Sequence, residues 1–532
     1  MMPSNPRGNG PLTYPSTAWL LLLPCLAWAF FSWVSSANLD SQNDMLENYA
    51  WSQPLLMGTH KHPPFFAWVV GIWFMVFPES DWAYRLLSYV NVAVGLWGVM
   101  VLGQRLGLAN LAKWGGLLLL WAFPYSTLAG KFNANTQLLS VWPWAAAMLL
   151  ASWQEKGLRG VWYSVWLGLT AAACMLSKYY SGLFLTGFLL PIFLNAQGRR
   201  WLLTPRPYIA LLVFGLALLP HVVWMASYEW APITYATNKG DGQVVWPYVW
   251  RFVFSPLFYW LPAWLAVCGA YACCHAQATG QKRGVVFRSY LWRAWMPNGW
   301  DDVLFWLALT PWLFTLVCGV LGVAKLSTPW AIPIGYAFVL LWLRNLHALS
   351  PASTEGSIAR WYKAWWWVVL VVLVCAPVVA AWHALTGDEE FYRPTQESAH
   401  VIVQEWQARH PGQTLEWVGG EWTENAHVSF YAMPGLLTIP ENPESLGAEL
   451  AGIGDWTQRH GILLCPIGQV ADGTPPNLTA RECVPQAQAW LAAQGLDTTP
   501  HVVTARRTGW RFPEPLDFAY VVFDVPAQRS AP

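Results

Sequence analysis

The chain has 532 residues, of which 55% are hydrophobic and only 11% charged, with a mean hydropathy of +0.32. Soluble domains carry roughly 25% charged residues, so the composition excludes an ordinary soluble protein and points to a polytopic membrane protein. A formal net charge of +1 gives no overall field to attract nucleic acid, and the 40 Trp suit membrane–water interfaces, where the ring is half apolar and its N–H stays wet.

The first apolar run, STAWLLLLPCLAWAFFSWVSS, reaches the ~20 residues a span needs and lacks a small-x-small exit, so it reads as a retained span rather than a cleaved signal. Arg7 is the only charge ahead of it, which places the N-terminus in the cytoplasm. Further apolar runs lie at 84–104, 112–130, 136–152, 162–177, 181–196, 208–228, 250–273, 303–322, 327–343 and 364–386, giving eleven spans. Residues 65–78, FFAWVVGIWFMVFP, are short for a span and read as a helix in the interface or re-entering. With this topology the cytoplasmic segments hold fifteen Lys and Arg and the opposite loops seven, the bias expected of a correct orientation. Counting 65–78 as a span would put some of the most basic loops outside.

From about residue 387 the chain turns polar, with an amphipathic helix expected around Val401, Val403 and Trp406. Short β-rich runs follow at TLEWVG, GLLTI, GILLCPI and AYVVFDV, alternating with helical pieces such as PQAQAWLAAQG. The expectation is a membrane domain over 1–386 and a soluble α/β domain over 387–532, outside the cytoplasm. Its 18 acidic and 8 basic residues are a poor match for anionic lipid. Seven of the nine cysteines fall in or beside membrane runs, whereas Cys465 and Cys483 lie in the outer domain, where an oxidising compartment permits but does not require their pairing.

The uncommon feature is where the charges lie. NDMLENYAWSQPLLMGTHKHPPFFAW, residues 43–68, follows the first span and holds Asp44, Glu47, His60, Lys61 and His62. Lys131, Lys178, His221, Glu229 and Lys325 occur at span ends on the same side. A lone lysine there ordinarily snorkels to the headgroups. Several cations with two acids and aromatics on one side fit a shared cavity better, one suited to an anionic phosphate on a lipid tail. Such a cavity supports sugar transfer from a lipid phosphate: Asp44 or Glu47, three apart and so on one helical face, supplies the base for an acceptor hydroxyl. Lys61, His62, Lys131 and Lys178 supply the charge that stabilises the departing phosphate. Tyr49 and Trp51 would border the sugar, and Pro63-Pro64 re-aims the chain.

The order of elements NDMLENYAWSQ, GTHKHPPFFAW, the interfacial run and Arg85-Leu86, followed by KFNANTQLLSVWPWA and LSKYYSGLFL, resembles the GT-C glycosyltransferases. Within them it is similar to the family-39-like group of aminoarabinose transferases, protein O-mannosyltransferases and RgtA/B/C/D-like galacturonosyl transferases, over roughly 17–345. The resemblance implies an inverting transferase of the bacterial inner membrane. It would use a polyprenyl-phosphate sugar, of undecaprenyl-phosphate type, at the periplasmic face, with a glycolipid, glycan or protein as acceptor. It also implies that the first-loop catalytic aspartate is Asp44, with Asp40 the alternative, and that Asn133, Asn135 and Tyr179 line the substrate. Two departures stand out: Lys61-His62 replaces an acidic-basic pair before Pro-Pro, and Asn133, Asn135 and Gln137 stand where many relatives have an Asp. No metal or other cofactor is expected. The alternative is a transporter or flippase of a lipid-linked anion, disfavoured by charges that gather at one face rather than at the midplane. Another lipid-carrier enzyme and a non-catalytic scaffold are further alternatives.

Overall fold

The computed structural model describes residues 17–40, 43–53, 56–59, 61–238, 244–387, 389–439, 458–470, 482–507 and 517–527. Among these, eight helices are long and apolar enough to cross a membrane, and a ninth results if Ser181–Leu194 and Ala196–Leu202, bent by 105°, count as one span. Two of the eleven apolar runs are not among these candidate spans. Run 112–130 is not one helix: α5 (Asn110–Leu117) passes into three short 3₁₀ turns ending at Gly130. Pro124 lies in this stretch and cannot continue a helical hydrogen-bond ladder, and Leu117 to Leu120 are buried against protein. Run 136–152 belongs to α6 (Ala134–Gln154), a helix of spanning length whose first turns carry Asn135, Thr136, Gln137 and Ser140 and which is buried on almost every side.

Helix α1 (Thr17–Ser35) packs against α4 (Asp81–Arg105) and against the long helix Thr354–Thr386. Helix α4 crosses α6, which in turn packs on α7 (Gly157–Ser177). A Cβ on Gly95 would lie 2.2 Å from the Leu139 carbonyl oxygen, so this crossing needs a residue without one. Outward faces are apolar: Leu211, Leu212, Leu216, Leu219 and Val223 are exposed on Arg206–Ser227, and Trp367, Val371, Val374 and Val378 on Thr354–Thr386. Such continuous apolar faces are a liability in water and match a hydrocarbon solvent.

Between α1 and α4 the chain forms α2 (Asp44–Ser52) and α3 (Phe65–Phe74). At 1.5 Å per residue α3 is about 15 Å long, half the hydrocarbon thickness, and Ile72, Met75 and Val76 at its end are exposed. Residues 65–78 therefore do not span.

Among the described residues, the C-terminal part forms a five-stranded mixed sheet of order β2-β1-β3-β5-β4. Strands β1 (Trp417–Gly420), β2 (Leu437–Thr438) and β3 (Gly461–Val470) are parallel. Strands β4 (His501–Arg506) and β5 (Asp517–Val525) join antiparallel. Helix Thr395–Arg409 covers one face through Ile402, Val403 and Trp406. Helix Cys483–Ala493 covers the other through Val484, Ala487 and Leu491. Cys465 on β3 is disulfide-bonded to Cys483. Four strands match the β-rich runs; β4 was not among them.

Candidate active site

The site begins with Arg85 in the first turns of α4. Its buried guanidinium donates to the Gly130 carbonyl at 2.6 Å and to the carbonyls of Asn38, at 3.1 Å, and Leu39. One side chain thus ties the chain leaving α1 to the segment entering α6. Asp40 comes next, and its carboxylate accepts from the backbone N–H of Asp44 at 3.1 Å and of Met45 at 2.9 Å. These are among the first N–H groups of α2, which have no partner inside the helix. A carboxylate there also meets the positive end of the helix dipole.

Asp44 is the first residue of α2, with its side chain 30% exposed. The Lys131 ammonium lies between two carboxylates, 2.8 Å from Asp44 Oδ2 and 3.2 Å from Asp40 Oδ1. Burial disfavours the charge on Lys131, but the attraction of Asp40 and Asp44 outweighs it and holds the ammonium above its ordinary pKa. Asn133 uses both ends of its amide. Its Oδ1 caps α6 by accepting from the N–H of Asn135 and Thr136, and its Nδ2 donates to Asp44 Oδ2 at 3.2 Å. An aspartate at 133 would retain the cap, lose the donor and set a second anion beside Asp44. Asn135, two residues on, accepts from Lys178 at 2.5 Å, and Lys178 also lies 5.9 Å over the Trp330 ring.

Glu47 and Lys61 form a second pair at 2.8 Å, with Glu47 buried and Lys61 also 5.7 Å over Trp51. Two of the lysines expected to meet phosphate, Lys61 and Lys131, thus have carboxylate partners. The His62 ring packs edge-on to Trp51 and Phe66, and its backbone closes a turn with Thr59. Tyr179 donates to His221 Nε2 at 2.8 Å. His221 Nδ1 faces the Met57 carbonyl at 2.6 Å, which can only accept, so Nδ1 carries the proton. Tyr179 therefore fixes the first loop through His221 as well as standing near Lys178 in sequence.

Tyr49 is a correction. Expected to border substrate, it is 0% exposed and packs against Phe74 at 5.6 Å and Phe430 at 4.9 Å. At about 100° per residue, position 49 lies on the far side of the helix from Asp44. Trp51 is buried as well. His60 lies outside the described residues. Lys325 is exposed over the Tyr248 ring at 4.9 Å. Among the described residues no group of three or more His, Cys, Asp or Glu is placed to hold a metal. Asp44, Lys131 and Asn133 are thus brought into contact, Asn135 and Lys178 adjoin them, and Glu47 with Lys61 forms a neighbouring pair.

Residues 61–224 match the family described as dolichyl-phosphate-mannose-protein mannosyltransferase. No curated protein matches the sequence. The structure of ArnT from Cupriavidus metallidurans bound to undecaprenyl phosphate superimposes with a TM-score of 0.56 and 15% identity, over 97% of this chain and 100% of that one. The apo form of the same protein gives 0.52 and 15%, over 97% and 99%. The matched segment carries Lys131, Asn133, Asn135 and Lys178, and the fold is shared from end to end. The chain thus has the fold of that ArnT, and its residues 61–224 are similar to the mannosyltransferase family.

Proposed function

We propose that the protein moves a sugar, with inversion, from a polyprenyl-phosphate donor to a hydroxyl of an envelope glycolipid, glycan or protein at the periplasmic face of the bacterial inner membrane. The observation that carries this reading is Asp44, a part-exposed carboxylate at the head of α2, fixed by Lys131 and Asn133. The undecaprenyl phosphate held by the structurally similar ArnT supports such a carrier as donor. Asp44 takes the proton of the acceptor hydroxyl as its oxygen bonds to the anomeric carbon. The bond from that carbon to the phosphate oxygen breaks, and its electron pair leaves with the polyprenyl phosphate. Lys178, at the same rim, offsets the charge that develops on the phosphate. Lys131 supplies the positive charge beside Asp40 and Asp44, so in this reading no metal takes part. Transfer is expected to persist in excess EDTA, and its loss on chelation would refute this assignment of Lys131.

The test is mass spectrometry of envelope glycolipids and glycans from cells lacking the gene, rescued with wild type or with Asp44→Asn. A general base contributes about 10²–10⁴-fold, so Asp44→Asn is expected to leave a species one sugar lighter. Full rescue by Asp44→Asn at normal protein levels would reject Asp44 as base and return attention to a flippase.

A further inference from the structure

The C-terminal layer meets the site at the start of α2. Asn43, immediately before Asp44, has φ 56° and ψ 17°, the left-handed region. Asn tolerates this better than most side chains, but the conformation still needs support. Its Nδ2 donates to Glu424 Oε1 at 3.1 Å, across 381 residues of sequence. Glu424 lies on helix Trp422–His427, is 4% exposed, and is ion-paired with Arg393. The Arg393 carbonyl in turn accepts from Asn38 Nδ2 at 3.2 Å. Arg507 donates to the Ala37 carbonyl at 2.9 Å and to Asn38 Oδ1 at 3.0 Å. Buried charges are costly to desolvate and are a weak source of net stability. Here they converge on the short stretch between α1 and α2, whereas apolar contact would be enough to dock the layer.

We infer that Glu424, held by Arg393, is a positioning residue for Asp44. Through Asn43 it sets the backbone turn from which α2 starts, and so the direction in which the Asp44 carboxylate emerges. The C-terminal layer is then part of the catalytic apparatus. The inference rests on the proposed reading of Asp44 as the base. Lys131 and Asn133 hold that side chain, Asp40 holds the backbone N–H groups of the first turn, and Glu424 holds the residue before it.

The experiment is a double-mutant cycle of Asn43→Gly and Glu424→Gln in the full-length protein. Transfer is followed by mass spectrometry, using an envelope extract from gene-deleted cells as the source of both substrates. Glycine adopts φ 56° without strain, so Asn43→Gly keeps the turn accessible and removes only the amide. Small misplacements of a reacting group are costly, so each variant is expected to lower the maximal rate about 10-fold. The extract dilution giving half that rate is expected to be unchanged, and the double variant no slower than either single one. Wild-type rates in both single variants, or losses that multiply, would overturn the inference. A change in half-saturation with the maximal rate intact would overturn it too, because it would mean a binding role. If Glu424→Gln does not accumulate, the rate and half-saturation of Asn43→Gly alone decide. Asp44→Asn run beside them separates the two ideas: an active Asp44→Asn defeats the proposed base, whereas an inactive one beside wild-type Asn43→Gly and Glu424→Gln defeats only the positioning role.

Discussion

His427 lies fully buried beneath the charged pair that meets the site. Its Nδ1 is 3.8 Å from Glu424 Oε2, its Nε2 is 3.4 Å from Ser398 Oγ, and its ring faces Tyr520. Burial pushes its pKa down; Glu424 opposes that and Arg393 adds to it, leaving about 4 against an ordinary 6.5. The folded protein therefore keeps this ring neutral where the unfolded chain takes a proton. As pH falls from 6.5 to about 4 the unfolded state gains protons that the folded state does not, and stability declines; above 6.5 the contribution is complete. Across that window the loss approaches, on the order of, 3 kcal/mol. Asp524, held below its ordinary value by Arg409 and His410 despite its burial, loses its contribution only at lower pH. Melting of the detergent-solubilised protein between pH 7.5 and 4.5 is expected to show the decline, and His427→Gln is expected to flatten it. An identical slope in His427→Gln would place the acid sensitivity elsewhere.

At the scale of elements, the first loop is held against helix Arg206–Ser227 at Gly58. A Cβ there would sit 2.4 Å from a Trp224 ring carbon and 2.9 Å from His221 Cε1. Both neighbours are rigid rings, so Gly58→Ala must shift the loop that carries Met57, the acceptor for His221. Transfer is expected to fall about 10-fold in Gly58→Ala, read as the unmodified glycolipid remaining after rescue; an unaffected rate would mean the loop absorbs the methyl. The GTHKHPP stretch holding this glycine was visible in the sequence as the loop that returns the chain to the membrane, though the ring it abuts was not. Spans were legible because hydropathy reports length and polarity directly. Run 112–130 departs from a span for a related reason: hydropathy does not tell an apolar segment facing lipid from one buried in protein, and Leu117 to Leu120 are of the second kind. Strand β4 is short and at the sheet edge; buried Val503 and Ala505 alternate with exposed Val502, Thr504 and Arg506, but an exposed valine and a buried alanine blur that alternation in the sequence. Lys131 and Lys178 were legible as charges at span ends and Asp44 as an acid just after the first span, whereas Asn133 and Asn135 stood out only through the resemblance. The burial of Tyr49 follows from helical geometry, which turns it away from Asp44 on α2.

At the scale of the whole molecule, what the sequence could not disclose is the union of its two ends. Arg507 with Ala37, and Glu424 with Asn43, are separated by hundreds of residues and share no motif. The apolar half of this union is an aromatic cluster. Phe430, 1% exposed, packs at 4.9 Å from Tyr49, 5.5 Å from Phe74 and 6.0 Å from Tyr84. Beside it Tyr431 donates to Asp81 at 2.6 Å, at the start of α4. One C-terminal ring thus completes a core contributed by α2, α3 and α4, the elements that carry or support Asp44. Removing a buried phenyl group costs about 3–5 kcal/mol, and here the cost falls on the contact between the C-terminal layer and the first loop. Phe430→Ala is therefore expected to lower the melting temperature and to speed proteolytic cleavage within residues 38–83. Internal cleavage of the sheet should change little, because the cores on its two faces do not include Phe430. Tyr431→Phe, which removes one hydrogen bond and leaves the ring, is expected to have a smaller effect in the same direction. Unchanged melting and an unchanged cleavage pattern in Phe430→Ala would show that the charged contacts alone hold the layer in place.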